Sequence, residues 1–395
     1  MKKVQIRPIR NNHELESCYD LWEKVFPNDR DFFKRRLELD ETYDLNSTWV
    51  AIVDQKLVSA VQVFSFTIWV DHTPFTVSGI GNVATLEEYR GLGYARQILL
   101  QISKLMEYRH DDFSLLLTNK FSFYEQMGWQ HYSEPIWIVE RDRLLQALSD
   151  QLTKYHVRPF TNKDLSSVME IYVEFNTHRT GTRIRIKTYW KGLVQWSNDQ
   201  FLVMEDDQHM IAYAIFSSIN STTIEIKEII YKNKRSESAY MLLIALLLDF
   251  PNVQRIMSRI PDDHALTRVF HNAKGHKDEF NGLMWKIIDF NKLMKKLNPI
   301  FSKRMVEFGI SAETTLLWQL AQQDILITIN QTGLKIEKAN GIIAYDERIT
   351  TSTRDFIQLL LRGATKMDNP KFKANPLLQI LFPESHGFFW STDFF

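Results

Sequence analysis

A chain of 395 residues, 44% of them hydrophobic and 13% aromatic, holds more apolar surface than one core needs, so several domains are expected. Lys plus Arg equals Asp plus Glu at 48 each, and that balance excludes a global field drawing nucleic acid or an anionic membrane. A single cysteine, Cys18, excludes an internal disulfide and a cysteine-rich zinc site and points to a reducing compartment.

MKKVQIRPIR has no apolar run behind its charges and does not read as a signal peptide. A short strand ending in Arg7-Pro8 leads into an amphipathic helix that carries Leu15, Cys18, Tyr19, Trp22, Val25 and Phe26 at helical spacing. Residues 48–53, 59–70 and 75–85 alternate as antiparallel strands, with 71–74 as a turn. The last strand meets EEYRGLGYA. Gly91 and Gly93 permit unusual dihedrals and close approach, and a helix from Tyr94 presents its positive end, which together form an anion cradle. The cradle lacks the Gly-Lys-Ser/Thr of a Walker loop, and the antiparallel strands before it exclude a Rossmann fingerprint. A buried strand over 113–118 follows, then a short helix over 123–127 closed by Gly128, then a strand over 135–140.

The plan then starts again. HVRPFTNKDLSSVMEIYVEF repeats the first entry with Arg158-Pro159, and KEIIYKNKRSESAYMLLIALLL overlays the cradle region with Arg235 on Arg90. Two weak matches in the same order indicate duplicated domains. Ser236 and Ser238 fall where Gly91 and Gly93 stand, nothing matches Phe123-Tyr124, and no coenzyme is expected in this copy. The apolar run 241–248 is far shorter than the ~20 residues a bilayer requires and reads as a buried helix. A strand from Leu283 closes the copy. The remainder, with a helix-like stretch over 301–320, a hairpin over 325–341 and a helix over 353–363, reads as a small α+β domain. Domains are placed at 1–145, 146–290 and 291–395.

Arg90-x-x-Gly93-x-Ala95 after an antiparallel strand, then strand, short helix with Phe123-Tyr124 and Gly-aromatic, resembles the GNAT acyl-CoA N-acyltransferases over roughly residues 1–140. The whole chain resembles a narrower group, the enhanced-intracellular-survival (Eis) acetyltransferases. The fold class this implies is α+β: tandem GNAT folds, the first intact and the second degenerate, followed by a sterol-carrier-protein-like domain. The resemblance implies acetyl-CoA as cosubstrate, with pantetheine on Val83, Ala84 and Thr85. It puts the pyrophosphate on Arg90, Gly91, Leu92, Gly93, Tyr94, Ala95 and Arg96, with a further coenzyme contact at Asn119. It also implies a small amine acceptor of the aminoglycoside, polyamine or lysine type and a cytoplasmic hexamer; no nucleic-acid or membrane partner and no metal are expected.

Acyl transfer to an amine needs a base, oxyanion stabilisation and a proton for the thiolate. No cysteine lies near the cradle, so transfer is expected to be direct, in a ternary complex. Tyr124 matches the family's proton donor. Trp22 and Phe26 are candidates for the amine pocket, Asp29 and Asp31 for attracting a polycation, and Glu87 and Glu88 for reserve bases. His72 and His131 read as structural. The chain closes on GFFWSTDFF. In Eis enzymes the last carboxylate is the proposed base, here that of Phe395; an α-carboxylate titrates near ~3.5, so burial must raise it or water must relay the proton. The competing reading is an aromatic plug with an incidental terminus. A noncatalytic coenzyme- or lipid-binding protein is the alternative class.

Overall fold

The computed structural model describes residues 3–40, 43–149, 156–196, 199–309, 313–321, 323–330, 333–339 and 344–395. The two copies build two large sheets on one plan. Val4–Pro8, Thr48–Val53, Lys56–Val70 and Thr73–Thr85 form an antiparallel meander, and Phe113–Leu117 joins it in parallel after the helix Tyr94–Arg109. His156–Pro159, Gln200–Asp206, His209–Asn220 and Thr223–Tyr231 repeat the meander, and Arg255–Ser258 joins in parallel after the helix Glu237–Asp249.

Local chemistry explains the repetition. Asp54-Gln55 and Asp207-Gln208 both adopt positive φ at two successive positions, the hairpin turn whose twist matches the flanking strands. Asp71-His72 does the same between the two longest strands of the first sheet. At each entry the Arg-Pro arginine holds an acid of the following helical turn with two bonds: Arg7 to Glu14 at 2.7 and 2.8 Å, Arg158 to Asp164 at 2.7 and 2.8 Å.

The closing strands are exchanged. Glu134–Glu140 lies in the second sheet, between Arg255–Ser258 and His276–Phe280, whereas Leu283–Ile287 lies in the first, between Phe113–Leu117 and Gln130–His131. The sequence reading had each copy closing itself. Both strands are apolar enough to fill either place, and long-range contacts decide: Trp285 packs edge-on against Phe113 at 5.6 Å, and Glu134 forms a buried ion pair with Arg259. Each sheet is therefore completed by the other copy's stretch of chain.

The remaining residues form a four-stranded sheet in the order Gly333–Lys338, Gln323–Asn330, Thr314–Leu320, Glu347–Thr351, backed by the helices Phe290–Glu307 and Thr353–Arg362. Thr314–Leu320 corrects the helix-like reading of 301–320. Its buried residues, Leu316, Trp318 and Leu320, alternate at period two and face the core. Phe356 and Phe382 meet Trp318 there with ring centroids 5.7 Å away.

The last nine residues run between the two large sheets. Gly387 N–H donates to Leu361 O at 2.7 Å, Phe388 N–H to Thr180 O at 2.9 Å, and Phe389 N–H to the Glu134 carboxylate at 2.9 Å. Trp390 is fully buried and donates to Asn176 Oδ1 at 2.8 Å. Two residues before the end, Asp393 accepts from Arg185 Nε at 2.8 Å and Nη2 at 2.9 Å, while the same guanidinium reaches Glu228 at 2.7 and 3.1 Å. All three side chains are 0% exposed. Burial opposes the charge of Arg185, but Asp393 and Glu228 outweigh it and hold its pKa well above the ordinary value. Tyr213 also donates to Glu228.

Removing the cation leaves two buried carboxylates face to face. Arg185→Met should therefore cost about 3–5 kcal/mol of stability. Guanidinium unfolding of the full chain measures it, and a loss below about 1 kcal/mol would mean the network anchors nothing.

Candidate active site

Parallel pairing between Thr73–Thr85 and Phe113–Leu117 covers only Val77 to Ile80 against Phe113 to Leu116. Beyond Ile80 the strands part. A register shift opposite residues 60–62 and a positive φ of 51° at Asn82 turn the longer strand away. Trp22 holds the bend, donating from Nε1 to Asn82 O at 2.6 Å. The opening is the mouth of a 1340 Å³ cleft.

Val83, Thr85, Arg90, Asn119, Tyr124, Phe26 and Phe395 all line this one cleft, so residues from five separate stretches of chain meet there. Ala84 is buried behind the strand, with its carbonyl bonded by Ser59, and Trp22 is 0% exposed. Trp22 is thus a positioning residue for Asn82, not a wall of the pocket. Asp29 lines the cleft and Asp31 is not among its lining residues.

The glycine turn lies at the rim. Gly91 and Gly93 have φ of 76° and 79°, and a Cβ on either would meet nothing within 4 Å. Backbone conformation and open approach, not crowding, call for glycine there. Gly93 caps the helix Tyr94–Arg109, whose first N–H groups lack partners in the preceding turn, and exposed Arg90 and Arg96 flank them. Leu92 is exposed, Ala95 partly so, and Tyr94 faces the core. A diphosphate with an extended amide arm fits this shape: charge at the helix end, arm against the unpaired strand edge.

Tyr124 is buried, packed edge-on against Phe123 at 4.9 Å and Trp129 at 6.2 Å. Among the described residues its hydroxyl has no hydrogen-bond partner. Burial pushes its pKa up to about 12, so the phenol stays protonated through neutral pH. The reserve bases are not placed to serve: Glu87 and Glu88 are exposed and absent from the cleft lining, and Glu88 is paired with Lys56 at 2.8 Å.

The terminus crosses the strand Thr73–Thr85 at two glycines. A Cβ at Gly79 would lie 2.7 Å from the Phe395 ring, and one at Gly81 would lie 3.3 Å from the main-chain carbonyl carbon and oxygen of Phe395. The Phe395 ring packs 5.5 Å from both Phe64 and Phe66. Glycine inside a strand marks close approach, and Gly79-x-Gly81 was a sequence signal that the initial reading passed over. Phe32, Phe33 and Arg36, also lining the cleft, carried no motif.

The same place in the second copy holds a smaller pocket of 840 Å³, lined by Tyr231, Ser236, Tyr240, Asp263, His264 and Arg268, and its strand end is bonded internally. His264 Nε2 donates to Ile229 O at 2.9 Å, and its Nδ1 accepts from Leu266 N–H at 3.2 Å, which fixes the tautomer. Rings of Phe175, Tyr231 and the tail's Trp390 pack around it. The helix Glu237–Asp249 is capped by Ser236, so Ser236 is the structural counterpart of Gly93. Ser238, aligned with Gly93 by sequence, is fully buried one turn inside. Cys18 is buried, and burial raises its thiol pKa. Among the described residues no group of three or more His, Cys, Asp or Glu side chains is arranged to hold a metal ion, and no helix is long and apolar enough to cross a membrane.

Residues 5–132 match the sequence family described as Acetyltransferase (GNAT) domain. A sequence comparison with curated proteins finds no significant match. Solved structures similar over the whole chain include a conserved protein of Enterococcus faecalis V583 (TM-score 0.77, 15% identity, 100% of both chains). A GCN5-related N-acetyltransferase from Anabaena variabilis (0.73, 15%, 100% of both) and Eis1 from Mycobacterium abscessus (0.68, 12%, 100% of both) share the fold. Residues 5–132 are a GNAT acetyltransferase domain, which makes the protein an acyltransferase.

His264 gives a pH signature. Burial lowers its pKa to about 4, against an ordinary value near ~6.5. The unfolded chain therefore binds a proton that the folded chain refuses between those values. Stability contributed by the neutral ring is complete above pH ~6.5 and is lost as pH falls toward 4, up to about 3 kcal/mol. Denaturation at stepped pH should show this slope, and His264→Gln should flatten it.

Proposed function

We propose that the protein is an acetyl-CoA-dependent N-acetyltransferase of the Eis type, acting on an amine acceptor by direct transfer. One observation carries the reading: the terminal carboxylate of Phe395 lies against Gly81, in the same cleft as the Tyr124 phenol.

Acetyl-CoA supplies the acetyl thioester. Arg90 to Arg96 hold its diphosphate at the helix end, Val83 and Thr85 offer strand-edge backbone groups to the pantetheine arm, and Asn119 adds a polar contact. The Phe395 carboxylate takes a proton from the incoming ammonium, directly or through water, and frees the lone pair. The amine nitrogen then forms the C–N bond as the C–S bond breaks. Tyr124 gives its hydrogen to the departing sulfur, and the second proton on nitrogen restores the phenol. The balance is ammonium plus thioester to amide, thiol and one released proton. With its pKa raised by burial, Tyr124 gives up its hydrogen only as the proton on nitrogen replaces it, so no free phenolate accumulates. General acid–base catalysis of this kind contributes about 10²–10⁴-fold.

In this reading the segments 1–145, 146–290 and 291–395 are a catalytic GNAT domain, a degenerate GNAT-like domain and a sterol-carrier-protein-like domain. The resemblance to the Eis acetyltransferases implies a cytoplasmic homo-oligomer, a hexamer, which light scattering tests.

Extending the chain by a few residues beyond Phe395 removes the carboxylate from Gly81. Turnover should fall about 10²-fold or more with acetyl-CoA affinity unchanged by calorimetry; normal turnover would restore the plug reading. At the cradle, Gly93→Asp should abolish acetyl-CoA binding through charge repulsion and a strained φ. Ser236→Asp at the exposed counterpart should leave binding intact, and equal losses would refute a single coenzyme site.

A further inference from the structure

The cleft has two chemically different ends. Arg90 and Lys120 gather at the coenzyme end. At the other end, beyond the terminal carboxylate, the walls come from the turn after the first helix, the helix Arg30–Glu38 and the tail. They are Phe26, Phe32, Phe33 and Phe394, with one acidic side chain, Asp29, and one cationic one, Arg36.

These rings are fixed in place. Phe33 contacts Phe26 at 5.8 Å and Phe32 at 5.7 Å. Phe394 is stacked on Phe280 at 5.6 Å and 20°, with the Arg259 guanidinium 4.6 Å from its centroid. Arg36 is buried, its guanidinium 5.1 Å from the Phe64 ring that also touches Phe395. Among the described lining residues the side-chain carboxylates are Asp29, exposed on the turn after the first helix, and Glu125, exposed beside Tyr124 and 3.6 Å from His131 Nδ1.

The charge count selects the acceptor. One ammonium has a partner in the Phe395 carboxylate, which also receives its proton. A second or third ammonium that passes Asp29 would meet the aromatic faces of Phe26, Phe32, Phe33 and Phe394 and no further side-chain carboxylate on that wall. Each buried ion without a partner costs several kcal/mol, and a ring face returns only about 0.5–2 kcal/mol. An apolar body loses nothing in the same place and gains by burial against the rings.

Resting on the N-acetyltransferase reading above, we infer that the acceptor is a singly charged primary amine with an aromatic or branched apolar body, not a polyamine or an aminoglycoside.

Initial rates of thiol release by the full chain with acetyl-CoA, measured for 2-phenylethylamine, spermidine and kanamycin, test this. We expect kcat/KM for 2-phenylethylamine to exceed the other two by at least about tenfold, the range one buried apolar group commands. Phe32 is 45% exposed, so Phe32→Asp should fold normally. It should shrink that ratio by lowering the aromatic amine and raising spermidine, while acetyl-CoA affinity by calorimetry stays unchanged. Equal or better kcat/KM for spermidine or kanamycin overturns the acceptor class but leaves the N-acetyltransferase reading standing. No acetylation of any amine, with acetyl-CoA still bound, overturns that reading and this inference with it.

Discussion

A single guanidinium, Arg185, sits between two carboxylates with no exposure to water, and the geometry of the cleft depends on it. Asp393 belongs to the tail, Glu228 to the second sheet, and the arginine joins them. Such a network is costly to desolvate and so is a poor source of raw stability, but it is intolerant of displacement. That intolerance is what a chain end needs. Chain ends fray unless fixed neighbours hold them in place. With Asp393 pinned, Phe394 stacked and the Phe395 ring between Phe64 and Phe66, the carboxylate has one place to be: over Gly81.

The two copies show how the same frame opens or closes. In each, a parallel pair separates beyond its first few residues, which leaves unpaired backbone at the strand ends. Buried backbone groups must find partners. The second copy satisfies Ile229 O internally, with His264, and packs Phe175, Tyr231 and Trp390 around it. The first leaves its edge facing a cleft and puts left-handed glycines beside it. The tail takes part in both, with Trp390 packed against Phe175 of the second copy and Phe395 entering the cleft of the first. The second copy, whose pocket is smaller and lacks the left-handed glycines, has a structural task as well, as the mould for the last residues.

Exchange of the closing strands serves the same end. Because Glu134–Glu140 completes the second sheet and Leu283–Ile287 the first, neither sheet is whole without the other's chain. The tail runs along a seam that the exchange keeps rigid, and Glu134, on an exchanged strand, itself accepts from Phe389 N–H.

What the sequence determined by itself is local. Alternation set the meander strands, Arg-Pro entries and helical spacing set the first helices, and Gly91 and Gly93 marked the cradle, because each depends on neighbours within a few residues. Phe123-Tyr124 and the aromatic tail were legible through the resemblance they carry. Tertiary structure alone decided which sheet each closing strand joins, that Trp22 points inward to Asn82, that Ser236 and not Ser238 answers Gly93, and that Thr314–Leu320 is a strand. These depend on pairings between residues far apart in the chain, where several partners satisfy the same local pattern and only packing of the whole separates them. The tail shows the division most plainly: its composition requires burial, but its address over Gly81 comes from Arg185 and Glu228, which no local rule connects to it.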